Sequence, residues 1–200
     1  MRVVGGKYRR RRFEVPRTFK ARPTTDFAKE NLFNILSNLL DFASCTCALD
    51  LFAGTGSISV ELLSRGCPQV VSVEKDYAHY AFIQKVKKEL GDAGWLPVKA
   101  DVFAYIKRCQ QQFDFVFADP PYALANLAEL PDLVFSNGLL QDEASWQLHY
   151  LAAPDRDTLH LALRVYNGQC ADTAIRLMPI NRVAIFAPNV FTPMRDNNQR

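Results

Sequence analysis

The chain has 200 residues, a formal net charge of +3, and hydrophobic and charged fractions of 48% and 22%. That is enough for one globular domain with a real core, and no apolar run approaches the roughly 18–20 residues of a membrane helix. No apolar signal core follows the basic N-terminus, so export is not expected and a cytoplasmic location is.

The charge is unevenly placed. Residues 1–22 hold nine Lys and Arg against the single acid Glu14, a net +8, which leaves about −5 for the rest. A basic arm on a mildly acidic body points to a polyanion, most often nucleic acid; the alternative is a solvated charged tail. The five cysteines, at 45, 47, 67, 109 and 170, are odd in number and lack zinc-ribbon or disulfide-framework spacing. Buried reduced thiols are expected, and no metal.

Residues 2–15 carry Val3, Val4, Tyr8, Phe13 and Val15 around Gly5-Gly6. This is either a β-hairpin with arginine-rich faces or a partly disordered arm. In both cases Lys7, Arg9, Arg10, Arg11, Arg12 and Arg22 can reach phosphates, with Tyr8 and Phe13 available to pack or stack. Arg22-Pro23-Thr24-Thr25-Asp26 reads as a helix start, with a threonine cap and an acid in the positive first turn. Phe27, Leu32, Phe33, Ile35, Leu36, Leu39 and Leu40 then mark one broad apolar helix face.

Ala48 to Gly56 runs an apolar strand into a glycine turn, and Ser57 opens a helix, as in the first unit of a Rossmann-like domain. Gly54 and Gly56 let the backbone approach a ligand. A dinucleotide fingerprint needs a third glycine near position 59, where there is Ser59. Asp50 opposes a pyrophosphate over the loop and suits a ligand bearing an ammonium group. Both details disfavour NAD and favour an amino-acid-bearing cofactor such as S-adenosylmethionine. A second strand, Val70–Val73, ends in Glu74, at about the spacing expected of the acid that binds ribose hydroxyls. A helix follows from about Asp76 to Leu90.

A third strand, about Leu96 to Ala100, ends at Asp101. That acid either accepts from an adenine amine, with Val102 or Phe103 beside the ring, or only caps the next helix. The fourth strand, 113–118, delivers Asp119-Pro120-Pro121-Tyr122. Proline cannot continue a sheet ladder, so these residues form a stiff turn at the strand end where open α/β sheets bind ligands. A rigid carboxylate and a flat ring there suit a planar nitrogenous substrate. The alternative is a plain turn with an exposed Asp. The whole reads as β–α units with a parallel sheet, right-handed crossovers and helices on both faces.

Beyond about Glu143 the composition changes: no Lys follows Lys107 and no Glu follows Glu143. Leu159–Tyr166 and Arg182–Ala187 are candidate strands without a motif. The division expected is a basic arm over 1–22, a core over 23–142 and an atypical segment over 143–200.

Asp50–Gly56, Glu74, Asp101 and Asp119–Tyr122, in this order, resemble the class I S-adenosylmethionine-dependent methyltransferases, and the Asp-Pro-Pro-Tyr motif is similar to their amino-methylating branch. With Gly6-Lys7-Tyr8, Arg22-Pro23-Thr24-Thr25 and Leu32–Leu36 added, the chain over about 1–142 closely resembles the RsmD-type enzymes. The resemblance implies methyl transfer to N2 of a guanine, nucleotide 966, in 16S rRNA or the small ribosomal subunit, by a monomer without a metal. The candidate cofactor residues are Asp50, Phe52, Gly54, Gly56, Glu74, Asp101, Val102 and Thr24, and the candidate catalytic residues are Asp119, Pro120 and Tyr122. Arg10 stands where the family usually has glycine. After Gly138-Leu139-Leu140 the family continues with a strand ending in Glu-His, which Ser145–Tyr150 does not reproduce. The expectation is a divergent or frame-shifted C-terminus, with two outcomes open: the segment completes the sheet, or the fifth strand is missing and a sheet edge is left uncovered. Competing readings are a DNA-adenine or protein-glutamine methyltransferase and a non-catalytic nucleic-acid-binding relative.

Overall fold

The apolar run before each acid forms a short strand. In a computed structural model, described over 1–19, 25–39, 41–121, 124, 126 and 129–140 and as backbone over 146–152, 159–166, 173–177 and 183–188, four of these strands are parallel. They are β1 (Ala48–Leu51), β2 (Val70–Glu74), β3 (Trp95–Lys99) and β4 (Phe115–Ala118), in the spatial order β3-β2-β1-β4. Every residue of β1, β2 and β4 is buried. Such near-continuous burial is what a parallel sheet covered on both faces requires.

Helices make the crossovers. Helix α1 (Asp26–Leu39) starts on Thr25, whose Oγ1 accepts from the Ala28 amide at 3.2 Å. Helix α2 (Ser57–Ser64) follows β1, and α3 (Tyr77–Leu90) follows β2. Asp76 caps α3 through the His79 amide, and Gly91 ends it. Phe82, Ile83, Val86 and Leu90 form the buried stripe of α3, at the spacing of one helix face. These three helices share one apolar cluster on one face of the sheet. Helices α4 (Val102–Ile106) and α5 (Leu130–Ser136) contribute Val102, Ile106, Leu130 and Val134 to a second cluster on the other.

The basic N-terminal stretch takes the hairpin form. Arg2 and Arg12 make an antiparallel bridge, Val3 N donates to Arg11 O, and Phe13 N donates to Met1 O. Val3 and Phe13 join the cluster of α1–α3, so the arm is part of the same packed unit. It also explains why all eight residues of α2 are buried: the sheet covers one side and the hairpin the other. Glu61 is the anchor. Fully buried, it accepts from the amides of Val4 (2.9 Å) and Gly5 (2.7 Å) and pairs with Arg65 Nε at 3.1 Å. Lys7 N donates to Ser64 O at 2.6 Å, and a Cβ on Gly6 (φ 68°) would lie 1.8 Å from that oxygen. Only glycine fits there. Buried Lys29 of α1 closes the other end, with its ammonium on the Arg2 carbonyl and 3.8 Å from Asp26.

The C-terminal segment adds strands to the sheet. Trp146–Ala152 is a strand, β5, and β6 (Leu159–Tyr166), β7 (Thr173–Leu177) and β8 (Val183–Pro188) follow. The edge of β4 is not left uncovered. β8 pairs with it antiparallel, and the sheet continues β8-β5-β6-β7, all antiparallel. The strand sought directly after Leu140 lies one place further out, and the last strand in the chain takes the inner position. Cys45, Cys47 and Cys67 are buried free thiols. Among the described residues no helix is long and apolar enough to cross a membrane.

Candidate active site

The parallel strands end in one row. Leu51 pairs with Val73 and with Ala118, and Glu74 pairs with Lys99. The next residues along, Glu74, Phe52 and Asp119, therefore lie side by side at the carboxyl ends of β2, β1 and β4. Two strand spacings, roughly 10 Å, separate the acids.

Between them sits the glycine loop. Phe52 (φ 61°), Gly54 (φ 56°) and Gly56 (φ 72°) all have left-handed backbone. A Cβ on Gly56 would lie 2.6 Å from the Trp95 ring, so this position needs glycine on two counts. Phe52 is not a glycine, and a non-glycine residue held at positive φ marks a place where the surroundings over-determine the backbone. Two ties hold the loop. Ala53 N donates to Val73 O at 3.0 Å, and Gly54 N donates to Glu74 Oε2 at 2.7 Å. The other Glu74 oxygen accepts from Asp76 N at 2.7 Å. Glu74 thus fixes the loop against β2 and the start of α3.

Asp50 lies beneath the loop, 1% exposed. Its Oδ2 accepts from Ser59 N at 3.1 Å and from the Ser59 hydroxyl. The Ser59 hydroxyl also meets Ser72 Oγ, to which Trp95 Nε1 donates at 2.6 Å. Burial pushes the Asp50 carboxyl up to about 7, against the lowering effect of the Ser59 bonds; Asp119 and Glu74 raise it further. In this geometry Asp50 holds the first turn of α2. Ser59, Ser72 and Trp95 were not singled out as partners in the sequence, where the one signal was a serine interrupting the apolar run Val70–Val73.

Asp101 takes the capping role: Oδ1 accepts from Ala104 N at 3.2 Å, and Oδ2 pairs with Lys75 Nζ at 3.1 Å. The Lys75 bond holds its carboxyl below the ordinary range. Val102 is buried, and the rings of Phe52 and Phe103 meet edge-on at 6.4 Å, giving the row an apolar wall.

Asp119 differs from the other acids. It is largely enclosed, and burial pushes its carboxyl up to about 6. Among the described residues no donor bonds it. Pro120 is buried behind it and Pro121 is exposed. Tyr122, Thr24 and Arg22 lie outside the described residues.

The site's chemistry fits a cationic nucleoside ligand. Anionic acids flank a loop with two positive-φ glycines, and the Ser57 hydroxyl at the start of α2 is buried without a partner among the described residues. A surface cavity of about 340 Å³, lined by Lys87, Lys88 and Asp92, lies at the far end of α3, away from the strand ends. Among the described residues no group of three or more His, Cys, Asp or Glu side chains comes together as a metal site.

Comparison with known proteins decides the family. A family model described as "Conserved hypothetical protein 95" matches residues 1–160. Ribosomal RNA small subunit methyltransferase D of Escherichia coli K12 is 34% identical over 144 residues, 72% of this chain and 71% of that protein. The chain belongs to the RsmD family of methyltransferases. The putative rRNA methyltransferase YlbH of Bacillus subtilis is 33% identical over 152 residues, covering 72% of this chain and 78% of that one. Among solved structures, the putative methyltransferase yhhF from Escherichia coli superposes with a TM-score of 0.67 at 26% identity, covering 94% and 97% of the two chains. The fold is that of the class I S-adenosylmethionine-dependent methyltransferases.

Proposed function

We propose that this RsmD-family chain transfers a methyl group from S-adenosylmethionine to the exocyclic N2 amine of a guanine in 16S rRNA, nucleotide 966 by family resemblance. It acts in the cytoplasm as a monomer, on the rRNA or the small subunit. The observation that carries the reading is Asp119: an enclosed carboxylate, without a donor among the described residues, one strand from the glycine loop.

Bound S-adenosylmethionine supplies an electrophilic methyl on a sulfonium. Gly54 and Gly56 give the ligand close backbone approach, Ser57 Oγ offers an unused polar atom, and Glu74 has acceptor capacity left for ribose hydroxyls. Asp50 acts through Ser59 by shaping the loop, and Phe52 with Val102 forms the apolar side. Asp101 lies at the outer end of the row, with Thr24 assigned there by motif.

An aromatic amine is a poor nucleophile because its lone pair is delocalised into the ring. Ionised Asp119, with the Pro120 carbonyl, accepts both amine N–H bonds and turns the lone pair outward. The same acceptors stabilise positive charge growing on nitrogen in the transition state. Holding the reactants collinear supplies much of the remaining acceleration. Tyr122 stacks on the base, worth about 1–3 kcal/mol, and the base must leave its stack to arrive. Arg9, Arg10 and Arg12 of the hairpin, with Arg22, hold RNA phosphates. Lys7 and Arg11 reach RNA only by leaving present partners, Asp92 at 3.0 Å and Glu89 O at 2.8 Å.

The test is Asp119→Ala. S-adenosylmethionine binding by calorimetry is retained and methyl transfer to unmodified 16S rRNA is lost by several orders of magnitude. Equal turnover of variant and wild type ends the role given to Asp119.

A further inference from the structure

The hairpin's cations are not equivalent. Lys7 and Arg11 are drawn to the foot of α3, and Arg11 also lies 5.6 Å from the Phe13 ring. Arg2, Arg9 and Arg10 instead line a single notch of about 120 Å³ between the hairpin and α1, with Glu30 on its far side. Arg2 is pinned by its Nε to Asp26 at 2.8 Å, which leaves its terminal nitrogens free of that bond. Among the described residues neither Arg9 nor Arg10 has a carboxylate partner. The lining carries three guanidinium groups against one carboxylate, a net +2 within a space the size of one small anion.

The backbone under the notch is strained. Arg10 has φ 72° and donates its amide to Val3 O at 3.0 Å. A left-handed conformation at a bulky residue is unfavourable, and its persistence points from strain to use. The anchor beneath is rigid, since Glu61 clamps Val4 and Gly5 and Lys29 holds the Arg2 carbonyl. A guanidinium's planar fork suits phosphate oxygens.

We propose that Arg2, Arg9 and Arg10 form a built receptor for one backbone phosphate of the RNA substrate, and that Glu30 weakens it. This rests on the RNA reading above, so the experiment measures binding rather than turnover. The probe is a labelled single-stranded 16S rRNA fragment, with Kd followed from about 50 to 200 mM salt, the range over which phosphate contacts dominate. The Arg9→Gln and Arg10→Gln double variant flattens the log–log salt slope by about 0.7, as for one single-strand phosphate lost, and raises Kd several-fold. Glu30→Gln lowers Kd. Arg10→Gly raises the melting temperature while weakening binding, which a merely structural role for Arg10 would not produce. Lys85→Gln on the surface of α3 is the charge control, and its slope stays at the wild-type value. An unchanged slope in the double variant, or weaker binding by Glu30→Gln, overturns the notch while the RNA reading stands. Wild-type protein that does not bind the fragment overturns both.

Discussion

Gly54 donates its amide proton to Glu74, N to Oε2 2.7 Å, so the tip of the glycine loop is tied to the acid at the end of the neighbouring strand. One carboxylate therefore holds the loop and the start of α3 together, and in the proposed function it also accepts from ribose. Glu74→Ala removes the carboxylate on which the half-buried Gly54 amide and the Asp76 amide converge, at a cost of about 1 kcal/mol for the Gly54 bond. Glu74→Gln keeps one amide acceptor. Calorimetry should show S-adenosylmethionine affinity lost in both variants, and thermal unfolding should show stability recovered only in Glu74→Gln.

Asp119 has a folded-state carboxyl raised to about 6 from its ordinary 3.8. Raised in the fold, it contributes stability that is fully present below 3.8 and lost as pH rises through about 6. At neutral pH its ionisation opposes folding, on the order of 3 kcal/mol. Asp119→Asn should raise the melting temperature at pH 8, have little effect at pH 4, and abolish most methyl transfer. The proposed role needs the ionised form, so wild-type turnover should fall as pH drops through about 6.

Ser59→Ala removes the hydroxyl that joins Asp50 to Ser72 and, through it, to Trp95. Asp50 is then buried with one fewer donor. The expected loss is about 1–3 kcal/mol in denaturant unfolding, larger at pH 8 than at pH 6 because the raised Asp50 carboxyl ionises through about 7. S-adenosylmethionine binding should weaken with it, since the first turn of α2 is then tied to β1 only by the Ser59 amide on Asp50.

Glu61→Ala leaves the Val4 and Gly5 amides and the Arg65 guanidinium without their shared acceptor. A loss of about 2–4 kcal/mol is expected from unpaired buried groups. Hydrogen exchange should quicken first at Val3, Arg10 and Phe13, whose amides bond across the hairpin.

The four parallel units were legible because each ended in an acid or glycine that an apolar strand cannot contain. Glu74 and Asp119 were found for that reason and Asp50, inside β1, from its place before the glycine turn; the structure sets Glu74 and Asp119 on either side of Phe52. Their partners were less legible. Ser59 looked only like a missing glycine, because its hydroxyl meets Asp50 and Ser72 through the fold rather than along the chain. Glu61 sits in an apolar helix run, and its acceptors' donors lie more than fifty residues away in sequence. Asp101 caps α4, since a helix start two residues from a strand end needs an acceptor there. The C-terminal order escaped because β8 joins β4 through pairing that no local motif announces.

The most direct measurement is transfer of labelled methyl to unmodified 16S rRNA and small subunits, followed by digestion and identification of the labelled nucleoside. The account predicts N2-methylguanosine at a single site, absent with Asp119→Ala. Label on adenine or on protein, or no transfer by a chain that binds S-adenosylmethionine, would contradict it.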